Sequence, residues 1–159
     1  IIASILMLIY ISFRFKDTQM GLSSVIALIH DVLIVFALYA IFRIPINNTF
    51  IAVMLTILGY SINDTIVIFD RIRENKGKYK RNNDELINIS VKQTLGRTIN
   101  TSITTLVMVL LLYIFGTASV KEFALPLVVG IAIGTYSSLF IASPLWYELT
   151  NIKAKKKLA

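Results

Sequence analysis

Asp64 is a carboxylate in the middle of an otherwise apolar segment, within the sequence GYSINDTIVIF at positions 59–69. An ionised aspartate at the centre of a bilayer costs about 2.5 kcal/mol or more, and residues of this kind usually mark a functional site. Asp64 is therefore the leading candidate for a group that binds and releases a proton. The alternative is a neutral carboxyl that clamps two helices together, although Ser, Thr and Asn fill that role more often.

Arg97 opens a second apolar segment, RTINTSITT at positions 97–105, whose first turns are also polar. Asp64 precedes Asp70 by about 9 Å along a helix that rises 1.5 Å per residue. From the equivalent end of its own helix, the Arg97 side chain is long enough to point inward to that depth. The alternative is that it extends outward to the lipid headgroups, as arginines at helix ends often do.

His30 and Asp31 form another titratable pair, in ALIHDVLIV at positions 27–35, and His30 is the only histidine. One interpretation is a polar pair that is hydrogen-bonded between helices. The other is a proton relay, because an imidazole changes its charge near neutral pH. Both residues are secondary candidates for a proton pathway.

Other chemistries are disfavoured by the residue types. The chain has no cysteine and one histidine, so we expect no metal site. It lacks a glycine-rich phosphate loop, so we expect no nucleotide cofactor. An intramembrane aspartyl protease needs two carboxylates that share a proton, and its second aspartate usually follows Gly-x-Gly, whereas Asp64 follows Ser-Ile-Asn. Proton movement is the chemistry that remains.

Five apolar segments must position these side chains. Apolar residues make up 56% of the chain and the mean hydropathy is +0.74, well above the values of soluble domains. A membrane-spanning helix needs about 20 residues, and four of the segments reach or approach that length. The pattern predicts an all-α membrane protein with five transmembrane helices, at about 1–13, 21–42, 50–69, 98–115 and 123–149. The first segment is short and has no basic leader, so we interpret it as the second half of a truncated helix.

The basic residues indicate the orientation of the bundle. If successive loops alternate sides, every Lys and Arg except Arg43 and Lys121 falls on one side. Cytoplasmic loops collect Lys and Arg, so we expect the loop 70–96 and the basic tail 150–159 in the cytoplasm. The net charge of +7 would suggest nucleic acid in a soluble protein, but this topology explains it without a nucleic-acid partner.

The loop 70–96 contains a helical pattern. DELINISVKQTL, at positions 84–95, places Ile87, Val91 and Leu95 at helical spacing, which predicts a helix that lies at the membrane interface. The loop is interpreted either as a solvated connector or as a docking surface for a partner.

Two further surfaces are predicted from the helical period of 3.6 residues. The stripe predicted to face lipid consists of Leu55, Leu58, Ile62, Ile66 and Phe69. The last segment carries four small residues at steps of four, which allow close approach to a neighbouring helix. These packing residues are Gly130, Gly134, Ser138 and Ala142.

Three motifs together resemble one family. GYSINDTIVIFDRIREN, QTLGRTINTSITTL and GIAIGTYSSLFIASP are similar to the SecF family, the membrane subunits of the bacterial SecDF protein-export complex in the resistance-nodulation-division superfamily. ALIHDVL fits as well. The family has six spans, with a large extracytoplasmic domain between the first two. The resemblance therefore implies that this chain is a fragment with spans two to six, and that Gly96 replaces an expected serine.

The resemblance also implies a function. The family is thought to use the proton-motive force to pull preproteins outward, as a transport subunit rather than an enzyme. Asp64 matches the carboxylate implicated in proton passage, and Arg97 matches the implicated arginine. The implied partners are SecD, the SecYEG translocon, YajC-like accessory subunits, preproteins and lipids of the bacterial plasma membrane.

These observations give one hypothesis and two alternatives. In the hypothesis Asp64 loads a proton from the extracytoplasmic side and releases it along a path gated by Arg97. The groups that would carry water or hydrogen bonds on this path are Asn63, Ser61, Thr101 and Thr104. The alternatives are a related proton-driven exporter of small molecules or lipids, and a scaffold of the translocon that conducts no protons.

Overall fold

The computed structural model describes residues 17–78 and 83–158, with side chains up to residue 152. Throughout this part the chain is helical, apart from short connections. The helices are α1 Thr18–Ile41, α2 Asn48–Lys78, α3 Asn83–Phe115, α4 Ala118–Ser137 and α5 Ser143–Leu158, and a π-helical turn, Ser138–Ala142, joins the last two. The all-α class is thus confirmed.

Four helical stretches are long and apolar enough to cross a membrane. They are Thr18–Ile41, Asn48–Lys78, Asn83–Phe115 and Ala118–Ile152, the last of which runs through α4, the π turn and the start of α5. The described residues therefore hold four candidate spans rather than the five predicted. The predicted first helix, at 1–13, lies outside the described residues.

The segment predicted as the loop 70–96 is mostly helical. Helix α2 continues to Lys78, and α3 begins at Asn83 and runs without a break into its apolar part. The prediction of a loop with a separate interfacial helix was therefore wrong. Hydrogen bonds between the two extensions explain the difference, because the buried Asn75 amide donates to Ser90 Oγ and to Gln93 Oε1, both at 2.9 Å. Such contacts stabilise helix where hydropathy falls, and hydropathy alone does not detect them.

Two apolar clusters form the core. One joins α1 to α2, α3 and the last helical segments, and it consists of Met20, Ala27, Ile68, Phe69, Ile72, Leu86, Leu139, Ala142 and Trp146. The other consists of Val35, Tyr39, Val53, Ile57, Val109, Ala124, Leu127 and Ile131. Along α1, α2 and α4, five buried polar residues lie between the members of these clusters, namely Asp31, Ser61, Asp64, Thr65 and Ser137. The bundle therefore has a polar layer between two apolar ones.

The lipid-facing stripe predicted on α2 was largely wrong. Phe69 is fully buried in the core, and Ile62 and Ile66 are half-buried against it. Of the five stripe residues, only Leu55 is exposed. The polar Asn63, which lies on another side of the helix, is exposed as well. Residues that pack between helices are as apolar as those that face lipid, so hydrophobicity cannot separate the two surfaces.

The small residues of α4 lie against α2. A Cβ atom added to Gly130 would overlap the side chain of Ile57, and one added to Gly134 would lie 3.0 Å from the Ser61 Cβ. Ser138 and Ala142, in the π turn, are also buried. Glycine at these two positions lets the backbones approach closely beside the polar layer.

Arg43 ends α1 in a backbone conformation that usually belongs to glycine. Its φ is 51°, in the left-handed region. The Ile44 N–H donates to the Tyr39 carbonyl at 3.0 Å and the Phe42 N–H to the Leu38 carbonyl at 3.0 Å, which closes the last turn. A side chain at such a position is unfavourable, because its Cβ approaches the following carbonyl oxygen.

Arg43→Gly should therefore raise the free energy of unfolding by about 0.5–1 kcal/mol, since the left-handed strain disappears. Unfolding in mixed detergent micelles, followed by circular dichroism, measures this change. Arg43→Ala is the control, because it removes the charge but keeps a Cβ atom. An equal gain in the alanine variant would show that charge, and not backbone strain, is responsible.

Candidate functional site

Asp64 lies in the buried polar layer at the middle of α2. Its side chain is 2% exposed, and its Oδ2 atom is buried without a hydrogen-bond partner among the described residues. Leaving a buried polar atom unpaired costs about 1–3 kcal/mol, and more if the group is charged. The folded chain therefore leaves one oxygen of this carboxyl available to a proton, a water molecule or a positive group.

Arg97 lies on α3, across a cavity that borders the Asp64 segment. Within residues 17–78 and 83–152 no ion pair or hydrogen bond joins the Arg97 and Asp64 side chains. The Arg97 side chain is exposed. Arg97 thus lines the same cavity as Asn63, the neighbour of Asp64, without direct contact with the Asp64 carboxyl.

The cavity between α2 and α3 has a volume of about 460 Å³. Its walls consist of Asn63, Arg97, other polar and charged side chains of both helices, and the apolar side chains of Ile66 and Val67. The remaining wall residues are Asp70, Arg71, Glu74, Gln93 and Thr94. From Asn63 to Glu74 the cavity follows α2 for about 16 Å at 1.5 Å per residue. It extends from the residue beside Asp64 towards the polar end of the helix.

The other residues predicted for the proton path lie elsewhere. Ser61 is fully buried and donates its hydroxyl hydrogen to Asp31. Thr101 and Thr104 follow Arg97 along α3, and their hydroxyls donate to the backbone carbonyls of Arg97 and Asn100, at 2.8 and 2.9 Å. Of the predicted path, the structure therefore brings Asn63 and Arg97 to the wall of one cavity. Asp64 and the three hydroxyl groups are not part of that wall.

Asp31 forms a second polar centre, in a very different environment. The side chain is fully buried. Ser61 on α2 and Ser137 on α4 both donate to its Oδ2 atom, at 2.6 and 2.7 Å. The His30 Nδ1 atom lies 3.1 Å from its Oδ1 atom. Asp31 therefore links three helices and has a partner on each oxygen, in contrast to Asp64.

Several hydroxyl groups extend this polar layer. Ser138 and Thr65 share a hydrogen bond of 2.9 Å between α2 and the π turn. Tyr60 donates to Ser102 at 3.2 Å, and Ser102 shares a hydrogen bond of 2.7 Å with Thr135 of α4. About half of the buried polar side chains in the membrane part thus pair between helices, and others, such as Ser23 and Ser24, donate to backbone carbonyls of their own helix.

Ser137 was missed by the sequence analysis, although it precedes the predicted packing residue Ser138. A search for small residues at steps of four skips it, because neighbouring residues of a helix lie about 100° apart. Two adjacent serines in a membrane segment would have been the available signal. The π turn has no comparable signal in the sequence, since it depends on where the helix contacts its neighbours.

The described residues include no cluster of three or more His, Asp or Glu side chains that could hold a metal ion. The two acids of the polar layer differ in their contacts: Asp64 Oδ2 has no hydrogen-bond partner among the described residues, whereas Asp31 pairs with His30 and two serines. Hydrogen bonds between helices therefore account for the burial of Asp31 but not for that of Asp64.

Comparison with known proteins identifies one family. The family model described as "Protein export membrane protein SecD/SecF, C-terminal" matches residues 1–152. The chain is 49% identical over 158 residues to "Protein translocase subunit SecF" of Sebaldella termitidis, which covers 98% of this chain and 51% of that protein. It is 48% identical over 146 residues to the protein of the same description from Borreliella burgdorferi, covering 91% and 48%. The chain thus spans about half the length of these curated relatives.

A solved structure shares the fold. The structure described as "Crystal structure of SecDF in Super-membrane-facing form" superposes with a TM-score of 0.91 at 42% sequence identity. The match covers 98% of this chain and 21% of the other. The helical arrangement described above is therefore that of one part of a much longer membrane protein.

Gly134→Val should lower the free energy of unfolding by about 1–3 kcal/mol, because the new side chain would push α4 away from Ser61 and weaken the contacts of the polar layer. Unfolding in mixed detergent micelles measures the loss. Gly59→Val is the matched control, since a Cβ atom at Gly59 meets nothing within 4 Å. Equal losses in both variants would show that valine in a helix, and not close packing, is the cause.

Proposed function

Because this chain belongs to the SecD/SecF family of protein export membrane proteins, we propose that it is part of a SecF translocase subunit that uses the proton-motive force to assist preprotein translocation. The match over residues 1–152 confirms the resemblance inferred from the motifs. In this proposal Asp64 is the group that carries the proton.

The unpaired oxygen of Asp64 is the observation that carries the proposal. A carboxyl whose oxygens are all hydrogen-bonded, such as Asp31, has an intrinsic structural explanation. The Oδ2 atom of Asp64 has no hydrogen-bond partner among the described residues that would explain its position in this way. The side chain is nevertheless buried at membrane depth, where an isolated polar group is costly. Reversible binding of a proton is the function that best accounts for keeping an acid there.

Arg97 and the cavity provide the release route in this proposal. Burial disfavours the ionised form of a carboxyl group, whereas a nearby guanidinium favours it. A movement of α2 relative to α3 would change both influences at Asp64 and so switch it between binding and release. Water in the cavity beside Asn63 would then take the proton towards the basic side of the membrane.

The membrane potential supplies enough energy for such a switch. A unit charge that crosses the full potential gains about 2.3 kcal/mol per 100 mV. That is sufficient to shift a two-state equilibrium between helix arrangements by more than tenfold. Proton passage at Asp64 would in this way drive the movement that assists export.

A SecD subunit is the partner that the exposed polar surface suggests. Asn63, Arg97, Asn100 and Thr104 are exposed on α2 and α3, although lipid cannot satisfy polar groups at membrane depth. A neighbouring subunit would cover them. The solved relative is described as SecDF, and its chain is several times longer than the part matched here.

The wider setting is proposed on the same basis. The chain would lie in the bacterial plasma membrane as part of a six-span unit. The charge distribution supports a cytoplasmic position for the polar ends of α2 and α3 and for the tail. SecYEG, YajC-like subunits and preproteins would be the remaining partners.

Asp64→Asn in the complete complex tests the proposal, because asparagine keeps the size of the side chain but does not bind a proton at neutral pH. The gradient-dependent part of preprotein export should fall to the level measured without a proton gradient. Proteoliposomes with the translocon and an imposed gradient provide the measurement, together with proton flux. Asp84→Asn, which removes an exposed carboxylate at the start of α3, should leave export unchanged. Undiminished export in the Asp64 variant would contradict the proposal and favour a non-conducting scaffold.

A further inference from the structure

Asp31 holds three helices together with one carboxyl group. Its Oδ2 atom accepts from Ser61 of α2 at 2.6 Å and from Ser137 of α4 at 2.7 Å. Its Oδ1 atom lies 3.1 Å from Nδ1 of His30, the preceding residue of α1. The three contacts use both oxygens of a fully buried group, and each serine comes from a different neighbouring helix. Asp31 is therefore one of the contacts that fix the position of α2 relative to α1 and α4.

Ser61 links the contacts of Asp31 to the segment of α2 that carries Asp64. It precedes Asp64 by less than one helical turn, about 4.5 Å along the axis. Its carbonyl accepts from Ser138 of the π turn at 3.2 Å and from Thr65 at 3.2 Å. Its Cβ atom lies close to Gly134 of α4, so the two backbones are in near contact. The segment of α2 that carries Asp64 is thus fixed at Ser61 from two sides.

Ser137, the last residue of α4, and Ser138, the first of the π turn, contact different neighbouring helices. Ser137 contacts Asp31 of α1, and Ser138 contacts Ser61 and Thr65 of α2. Ser137 also has a weaker alternative acceptor, the Gly134 carbonyl at 3.1 Å. Ser61 has Asp31 as its only recorded side-chain acceptor among the described residues. Loss of Asp31 would therefore leave the Ser61 hydroxyl without a partner in the interior.

His30 extends the same network to the outer side of α1. Its side chain is 34% exposed, between the buried Asp31 and the exposed surface of the helix. The ring must carry its hydrogen on Nδ1 to donate to Asp31, so the carboxylate selects that form of the imidazole. His30 is in this arrangement a donor that completes the Asp31 contacts.

We propose that Asp31 is a positioning residue for Asp64: through Ser61 and Ser137 it holds α2 against α1 and α4 and keeps the Asp64 carboxyl buried beside the cavity. Asp31 and Asp64 then have different roles, although both are acids at membrane depth. Its importance for export rests on the proposed function, whereas the positioning itself is measurable without any transport assay.

The accessibility of Asp64 to a hydrophobic carbodiimide tests the positioning. This reagent modifies carboxyl groups in apolar surroundings, and mass spectrometry of the peptide that contains residue 64 measures the rate. In the complete complex, Ser61→Ala and Ser137→Ala each remove one donor to Asp31. We expect each to raise the modification rate of Asp64 at least about fivefold, the factor typical of one lost hydrogen bond. Asp31→Ala removes the acceptor of both serines and should raise it further.

Thr56→Ala is the matched control on α2. The Thr56 hydroxyl is exposed and donates to the Ala52 carbonyl of its own helix, so its loss should leave the rate unchanged. A double-mutant cycle provides the second arm, because Ser61→Ala added to Asp31→Ala should have no further effect if both act through one contact. Since the two serine variants remove only one oxygen atom each, they keep the test informative if Asp31→Ala does not fold.

The outcomes separate this proposal from the proposed function. Unchanged or slower modification of Asp64 in the two serine variants would overturn the positioning role, whatever export shows. Faster modification, combined with normal export by Asp64→Asn, would support the positioning role and contradict the proton role. An additive effect of Ser61→Ala and Asp31→Ala would also overturn the proposal, because it would mean that Ser61 acts independently of Asp31.

Discussion

The cost of a polar group that has no water to bind governs this structure. Within a bilayer, each buried polar atom must find its partner inside the protein or remain unpaired at a cost of several kcal/mol. The helices meet this requirement by pairing hydroxyls and carboxyls between one another, in a layer bounded by two apolar clusters. Among the described residues three buried side-chain atoms lack a hydrogen-bond partner, namely Asp64 Oδ2, Thr98 Oγ1 and Trp146 Nε1, and Asp64 is the only acid of the three. The contrast with the paired Asp31 gives the two acids different explanations.

Close backbone contact and hydrogen bonding support each other in this layer. Gly134 brings α4 near enough to α2 for the serine hydroxyls to reach their partners, and those hydrogen bonds in turn fix the two backbones at that distance. Dispersion contacts alone allow helices in lipid to slide or rotate, since lipid tails are as apolar as the side chains they replace. A few polar contacts therefore set the register of the bundle.

The sequence predicted the parts of this protein that depend on composition and on single exceptional residues. The four apolar segments between residues 21 and 149 all lie within helices, and Asp64 and Asp31 were identified as polar side chains inside them. The failures have a common cause. Phe69, the extensions that join at Asn75, and the Ser137 contact are all determined by which helix lies opposite, and that information is not local in the sequence.

Helix α2 is one continuous rod that extends well past the apolar part of the chain. Its 31 residues span about 46 Å, whereas the hydrocarbon core of a bilayer is about 30 Å thick. Lys78 lies about 21 Å beyond Asp64 along this rod. A tilt of only about ten degrees pivoted at the acid would sweep the far end through nearly 4 Å, by simple leverage. Rigid coupling of this kind would turn an event at one atom into a displacement that a neighbouring molecule outside the bilayer can sense.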